Sequence, residues 1–202
     1  MTGRDLPTFL LVVAITAGAA AACSSPLPPR VSIPGVTLRL DQDHAPLEAP
    51  GHDGVAGLAR VREPVSFGPL VLTNTTSRPI SIVAVTPGPR DDGLTYLGVR
   101  ASASQTRRVF SLGVAQGAFP YPSGGADWRT VEGVVVLPER AGGARGVEIL
   151  VGLRAERPGQ WTMRGVSVIY QIGAQRYVTT YGDTYTVCAP PTTAHCDAVP
   201  AT

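Results

Sequence analysis

Hydrophobic and polar residues alternate along much of the chain beyond residue 55, and a period of two is typical of β-strands that bury one face. The segment 147–155 is the clearest example, because Val147, Ile149, Val151 and Leu153 fall on one face. Residues that favour turns, mainly Gly, Pro, Asn and Asp, separate the alternating segments. The pattern predicts strands at 31–40, 65–73, 80–86, 94–102, 108–114, 128–137, 147–155, 160–172 and 176–187, with a long surface loop over 116–127.

The composition favours the same architecture. The 202 residues include 23 glycines and 19 prolines, whereas charged residues make up only 16%. Gly and Pro break helices but serve turns, and no helical stripe extends past ten residues beyond the N-terminal segment. We therefore expect an all-β protein, with an antiparallel β-sandwich over 56–188, a Pro- and Gly-rich tether over 23–55 before it, and a C-terminal tail over 189–202.

The first 22 residues, 1–22, have the layout of an export signal. Arg4 supplies a positive charge, residues 6–22 are largely apolar, and residues 17–22 are all small. A charged start, an apolar stretch and a small-residue exit are typical of a secretory signal peptide, and the segment is short for a membrane span.

The end of this segment, Ala20-Ala21-Ala22-Cys23, resembles the lipobox of bacterial lipoproteins, with Ala20 where that pattern usually has leucine. The resemblance implies cleavage before Cys23, attachment of diacylglycerol to its sulfur, and a lipid-anchored protein on the extracytoplasmic side of the cell membrane. The alternatives are an ordinary signal peptide cleaved nearby and an uncleaved anchor.

The remaining cysteines, Cys188 and Cys196, form an even pair, as expected of a protein in an oxidising compartment. We predict a disulfide between them that ties the C-terminal tail to the last strand. A zinc site that includes His195 is the alternative, but it lacks a fourth ligand and the usual spacing.

Two stretches resemble the immunoglobulin-like domains of bacterial extracellular proteins. Trp161 follows a Pro-Gly turn and precedes an alternating strand, as a tyrosine does at the E–F corner of those domains. Residues 71–80 place a polar turn containing Asn74 before a Pro-Ile strand. The resemblance covers residues 60–188 and implies an immunoglobulin-like fold rather than a function.

No arrangement of residues in the sequence predicts catalysis. A Gly-x-Ser-x-Gly motif is absent, and Ser123 has no histidine near it along the chain. His44 and His52, which have carboxylates beside them, are weak candidates for metal ligands, but a solvated linker explains them better because no regular element fixes ligand geometry. We expect no enzymatic activity and no cofactor. The net charge of +2, without a block of like charges, argues against a nucleic-acid partner.

Aromatic residues provide the remaining candidates for a binding surface. Tyr177, Tyr181 and Tyr185 are spaced four apart and therefore share one face of the last strand. An exposed stripe would bind a glycan or a protein, whereas a buried stripe would pack the sheet, and packing is the favoured interpretation. Tyr121 and Trp128 lie in the aromatic loop, residues 119–128, which is either a binding loop or a plain surface turn.

Together these features favour a membrane-tethered extracytoplasmic lipoprotein whose immunoglobulin-like domain is a non-enzymatic interaction module. Its expected partners are the membrane, through the lipid on Cys23, and another protein of the cell envelope or membrane. The alternative is a lipoprotein that binds a small ligand or a metal through the segment of His44 and His52 or through the aromatic loop.

Overall fold

Two six-stranded β-sheets, packed face to face, form the fold in the computed structural model. The structure describes residues 36–49, 54–102, 113–122, 127–139, 146–190 and 196–197, and no α-helix occurs among these residues. The strands are β1 (Thr37–Leu40), β2 (Leu47–Glu48), β3 (Val55–Leu58), β4 (Pro64–Asn74), β5 (Ile80–Pro87), β6 (Leu94–Ser102), β7 (Val114–Gln116), β8 (Trp128–Arg129), β9 (Val135–Val136), β10 (Val147–Ala155), β11 (Gly159–Ile172) and β12 (Gln175–Ala189).

Sheet I has the strand order β1-β12-β11-β5-β9, and β3 also pairs with β12. Sheet II has the order β2-β4-β10-β6-β8, and β7 also pairs with β4. The long strands of both sheets pair antiparallel, whereas β1 and β3 run parallel to β12. The all-β, two-sheet architecture predicted from the alternation is therefore confirmed.

The core lies between the sheets because the apolar residues of each strand face inward. In β10 the predicted inward residues Val147, Ile149, Val151 and Leu153 are all fully buried. Side chains from both sheets complete the core, among them Phe67, Leu70, Leu72, Ile80, Ile82, Val166 and Val168. Burial of this many apolar side chains is the principal stabilising contribution to the fold.

Most predicted strands are present with their bounds shifted by only a few residues, but the predicted strand over 128–137 is wrong. The structure divides that segment between β8, which pairs with β6 in sheet II, and β9, which pairs with β5 in sheet I. A turn at Gly133, with φ of +77°, separates them. The consecutive valines Val134, Val135 and Val136 are typical of a strand but do not indicate which sheet that strand joins. Most of the predicted strand over 108–114 lies outside the described residues.

The segment 23–55, predicted to be a tether with one strand at 31–40, differs most from the expectation. Its described part contains β1 in sheet I, a 3-10 helix at Gln42–His44 and β2 in sheet II, so this stretch passes from one sheet to the other. Leu47 is fully buried, and Leu38 and Leu40 pack against the core. Apolar side chains at these positions fill the side of the sandwich beside β12 and β4, which explains why residues 37–48 fold with the domain. Signal residues 1–22 and Cys23 lie outside the described residues.

The C-terminal end of β12 carries the predicted disulfide. Cys188 is bonded to Cys196, eight residues later, and Gln160 of β11 donates a hydrogen bond of 3.0 Å to the carbonyl oxygen of Asp197. These two contacts fix residues 196–197 of the tail beside the β11–β12 pair. The predicted disulfide is confirmed.

Candidate functional site

The tyrosine stripe of β12 belongs to the core and not to a binding surface. Tyr181 and Tyr185 are fully buried and Tyr177 is 5% exposed. Tyr177 stacks on Tyr170, with ring centroids 5.6 Å apart, and Tyr185 meets Phe67 of sheet II edge to face at 5.8 Å. The alternative of an exposed binding stripe is therefore wrong, and the favoured interpretation that the three tyrosines pack the sheet is confirmed, because all three belong to the core between the sheets.

The hydroxyl groups of the buried tyrosines differ in their hydrogen bonding. Tyr181 donates a hydrogen bond of 2.6 Å to the carbonyl oxygen of Leu47 in β2, and the Tyr170 hydroxyl lies 3.2 Å from that of Thr179. The Tyr185 hydroxyl has no hydrogen-bond partner in the described structure. Burial raises the pKa of both Tyr181 and Tyr185 above the usual value, and in Tyr185 the nearby carboxylate of Asp183 raises it further. These groups are consequently neutral across the physiological range.

The aromatic loop begins with a side chain that is anchored on the outer face of sheet II. Gly98 of β6 and Gly152 of β10 are direct cross-strand partners, and the ring of Phe119 lies against Gly152 so closely that a Cβ atom there would overlap it. The guanidinium of Arg100 is 5.8 Å from the centre of the same ring. An aromatic ring placed over strand glycines covers backbone that would otherwise face water. Phe119 therefore fixes the start of the loop.

Hydrogen bonds hold the rest of the described loop. Ser66 of β4 donates to the carbonyl oxygen of Ala118 at 2.8 Å, and the indole N–H of Trp128 donates to the carbonyl oxygen of Tyr121 at 2.9 Å. Tyr121 and Trp128 are half-buried, and Pro122 is exposed. The structure thus brings the two predicted residues of this loop together, whereas residues 123–126 lie outside the described part. Because hydrogen bonding already holds Tyr121 and Trp128 together, binding a partner would cost them less conformational entropy than it would cost residues of a free loop.

A second aromatic residue is fixed at the corner between β10 and β11, where the chain crosses from sheet II to sheet I. The indole N–H of Trp161 donates a hydrogen bond of 3.0 Å to the carbonyl oxygen of Arg157, and the Arg157 guanidinium stacks 4.5 Å from the ring centre. Arg157 also forms an ion pair of 2.6 Å with Asp92 of the β5–β6 connection. Gly93 lies so close to the indole that a Cβ atom there would overlap the ring, so the indole packs directly on the backbone of the β5–β6 connection.

Ion pairs surround this corner but are largely exposed. Arg164 contacts Asp91 at 3.4 Å, and Arg154 contacts Glu156 at 2.8 Å. A side-chain hydrogen bond from Thr95, followed by one from Arg154, lowers the pKa of Glu156. Exposed pairs of this kind contribute little to stability.

The histidine segment does not assemble a metal site in the described residues. His44 closes the 3-10 helix at Gln42–His44, and His52 lies outside the described part of the chain. Within residues 36–49 and the other described ranges, no three side chains among His, Cys, Asp and Glu converge on one point. The described ranges also include no helix long and apolar enough to cross a membrane.

The sequence interpretation missed the packing of Phe119 on Gly98 and Gly152. Glycines in strand interiors are the signal that could have revealed it, because they mark close approach by a ligand or another chain segment. The sequence does not show which segment approaches.

Comparisons with known proteins assign no family. No protein-family model matches the chain, and no curated protein matches it. A solved structure of the Vibrio cholerae VesB protease is similar over 73% of this chain, with 10% sequence identity and a TM-score of 0.36. The matched region spans only 33% of the protease chain. Similarity of this degree transfers neither an activity nor a family to this protein.

Proposed function

We propose that this chain is a lipid-anchored extracytoplasmic protein whose β-sandwich is a non-enzymatic interaction module of the cell envelope. Cys23 carries the lipid, and the signal over 1–22 is removed. The partners are the membrane, through that lipid, and another protein of the envelope or membrane.

The observation that carries this proposal is the disulfide between Cys188 and Cys196. Disulfides persist in oxidising compartments and are rare in the cytosol. The remaining cysteine, Cys23, follows the run of small residues that ends the export signal. A disulfide supports export to an oxidising compartment, and the one remaining cysteine stands at the position that a lipobox assigns to the lipid.

The corner at Trp161 supports an immunoglobulin-like sandwich. In immunoglobulin-like domains a tyrosine at the crossover between sheets bonds to backbone a few residues upstream. Here the indole N–H of Trp161 donates to the carbonyl oxygen of Arg157, four residues upstream, at the crossover between β10 and β11. An indole thus replaces the phenol in the same type of contact.

The aromatic loop is the surface that best suits a protein partner. Tyr121 and Trp128 are half-buried, joined by a hydrogen bond, and held on sheet II through Phe119. Tyrosine and tryptophan are enriched in protein interfaces because they provide large rigid contact areas. Loops on a rigid sandwich frequently carry binding function.

Site-specific photo-crosslinking in intact cells tests the proposal. A photo-reactive amino acid replaces Tyr121 in one variant and, as a control, the exposed Thr180 on the outer face of sheet I in another. We expect a discrete crosslinked envelope protein from position 121 only, and its loss when Cys23→Ser releases the protein from the membrane. Equal crosslinking from both positions would contradict a specific surface. Stoichiometric metal binding that His44→Ala and His52→Ala abolish would instead favour the metal-binding alternative.

A further inference from the structure

Three exposed arginines lie together where the chain enters the described fold. Arg176 of β12 pairs with Thr37 of β1, and Arg39 lies two residues farther along β1. Arg39 shares the outward face because Leu38 and Leu40, on either side of it, pack against the core. Arg39 and Arg176 are therefore diagonal neighbours on the outer face of sheet I.

The third arginine, Arg78, reaches the same region from the connection between β4 and β5. Its guanidinium lies over Gly173, in the turn that joins β11 to β12. Gln171, two residues before that glycine, is the cross-strand partner of Arg176. Arg39, Arg78 and Arg176 therefore form one group, here named the arginine patch.

The charge of the arginine patch is not neutralised by neighbouring carboxylates. In the described ranges, ion pairs join Arg129, Arg154, Arg157 and Arg164 to nearby acids, but no ion pair involves a member of the patch. The nearest carboxylates are Asp41, directly after β1, and Glu139, whose N–H bonds to the carbonyl oxygen of Asn74 beside the connection that carries Arg78. Within the described part of the chain, neither forms an ion pair with a member of the patch. The patch consequently presents three positive charges to solvent.

The patch also lies beside the point from which the anchor segment departs. Val36 immediately precedes β1, its side chain is 43% exposed, and its carbonyl oxygen accepts a hydrogen bond of 2.7 Å from Gln175. Cys23 is thirteen positions earlier in the sequence. A fully extended chain of that length spans at most ~45 Å, so a lipid on Cys23 keeps the arginine patch within that distance of the membrane surface.

We infer that the arginine patch binds the phosphate groups of anionic phospholipids in the membrane that holds the anchor. Guanidinium groups match phosphate oxygens in a two-point geometry, and each basic residue near an anionic surface strengthens attachment. Contact through the patch would place the turn at Gly173 against the headgroups and leave the corner at Trp161, at the other end of the sheets, facing away. This inference rests on the proposed lipid anchor and adds a second, electrostatic contact to it.

Binding of the unacylated protein to vesicles tests the patch separately from the anchor. Residues Ser32–Thr202 form a compact unit of their own, so a protein beginning at Ser24 retains the whole described fold. Its co-sedimentation is measured with phosphatidylcholine vesicles with and without ~30% phosphatidylglycerol, at low and high salt. The test variant is Arg39→Gln/Arg78→Gln/Arg176→Gln. The matched control is Arg60→Gln/Arg62→Gln/Arg90→Gln, which removes the same charge from exposed residues at the opposite end.

We expect salt-sensitive binding to the anionic vesicles alone, weakened roughly fivefold for each patch arginine removed and ~100-fold for all three. The control variant should keep at least half of the wild-type binding, whereas a triple Arg→Lys variant of the patch should bind more weakly than the wild type but better than the glutamine variant. Absence of wild-type binding, equal binding to neutral vesicles, or equal losses in the patch and control variants would overturn the inference. Because no acyl chain is present in this experiment, none of these results depends on whether Cys23 is lipidated.

Discussion

The hydroxyl of Tyr181 donates a hydrogen bond of 2.6 Å to the carbonyl oxygen of Leu47, 134 residues earlier in the chain. Tyr181 belongs to the central pair of sheet I, whereas Leu47 lies in the short strand β2 at the edge of sheet II. The contact therefore closes one side of the sandwich and fixes the segment between β1 and β2. Both residues are fully buried, so water cannot replace the bond.

Tyr181→Phe should destabilise the domain, because it removes this bond and leaves a buried carbonyl oxygen without its donor. We expect a loss of about 1–2 kcal/mol in the free energy of unfolding, measured by urea denaturation. Tyr185→Phe is the matched control, since the Tyr185 hydroxyl has no partner in the described structure. Its removal should leave stability unchanged or increase it, and equal losses in the two variants would refute the distinction.

The packing of Phe119 on Gly152 predicts a strong coupling between the two positions. Gly152→Ala places a methyl group inside the space of the ring, and we expect a loss of about 1–3 kcal/mol with release of the loop, detected as faster proteolysis near residue 120. In a Phe119→Ala background the same substitution should cost much less, so the double-mutant cycle should give a clear interaction energy.

Gly182→Ala provides the control for that cycle. No atom lies within 4 Å of a Cβ atom added at Gly182, which is also in a β-strand. We expect its effect to stay within about 0.5 kcal/mol in either background. Additive losses for Phe119→Ala and Gly152→Ala would show that the ring does not occupy the position described.

Reduction of the disulfide should destabilise the domain through the C-terminal end of β12. Opening a loop of this length costs about 2–3 kcal/mol in the chain-entropy treatment, so the Tm should fall clearly in the presence of reductant. The variant Cys188→Ser/Cys196→Ser should show the lower Tm without reductant and no further change with it. A Tm that responds to reductant in this variant would mean that another site is responsible.

The buried tyrosines predict loss of stability in alkali. Burial raises the pKa of Tyr181 and Tyr185, so the folded protein keeps these protons when the unfolded chain loses them above pH ~10. The unfolded state then binds fewer protons, and the free energy of unfolding falls as pH rises further, by up to about 1.4 kcal/mol per pH unit for each group. Urea titrations from pH ~9 to ~11 should show a shallower decline in Tyr181→Phe/Tyr185→Phe than in the wild type. Parallel declines would contradict the burial of these hydroxyls.

Local pattern was sufficient to predict the long strands but not their surroundings. The strand β10 and the stripe of three tyrosines in β12 follow from a period of two. That period does not state which face is inward. On the opposite face Arg176 and Thr180 are exposed, but Thr184 is buried, and the tyrosine face itself includes the polar residues Thr179 and Asp183, so polarity along β12 gives only a partial signal. Thr180 lies on the exposed face, in contact with Ser167 of β11.

Contacts between distant segments account for what the sequence did not reveal. The strand β1 pairs in parallel with β12, and the bond between Leu47 and Tyr181 joins residues far apart along the chain. Neither contact leaves a local signature, so the alternation predicted a strand at 31–40 but not its parallel pairing with β12, and β2 was not predicted at all. Likewise, Gly98 and Gly152 indicate a close approach in sheet II but not that Phe119 makes it. The disulfide of Cys188 and Cys196 could be predicted because they are the only cysteines left once Cys23 is assigned to the lipid.

Mass spectrometry of the mature amino terminus tests the proposed anchoring most directly. The protein is purified from the membrane fraction in detergent and its N-terminal peptide is analysed. We expect a first residue of Cys23 with the mass of a diacylglyceryl group on its sulfur, and failure of Cys23→Ser to acquire any acyl mass. A mature protein that begins elsewhere, or that carries an unmodified Cys23, would contradict the lipid anchor.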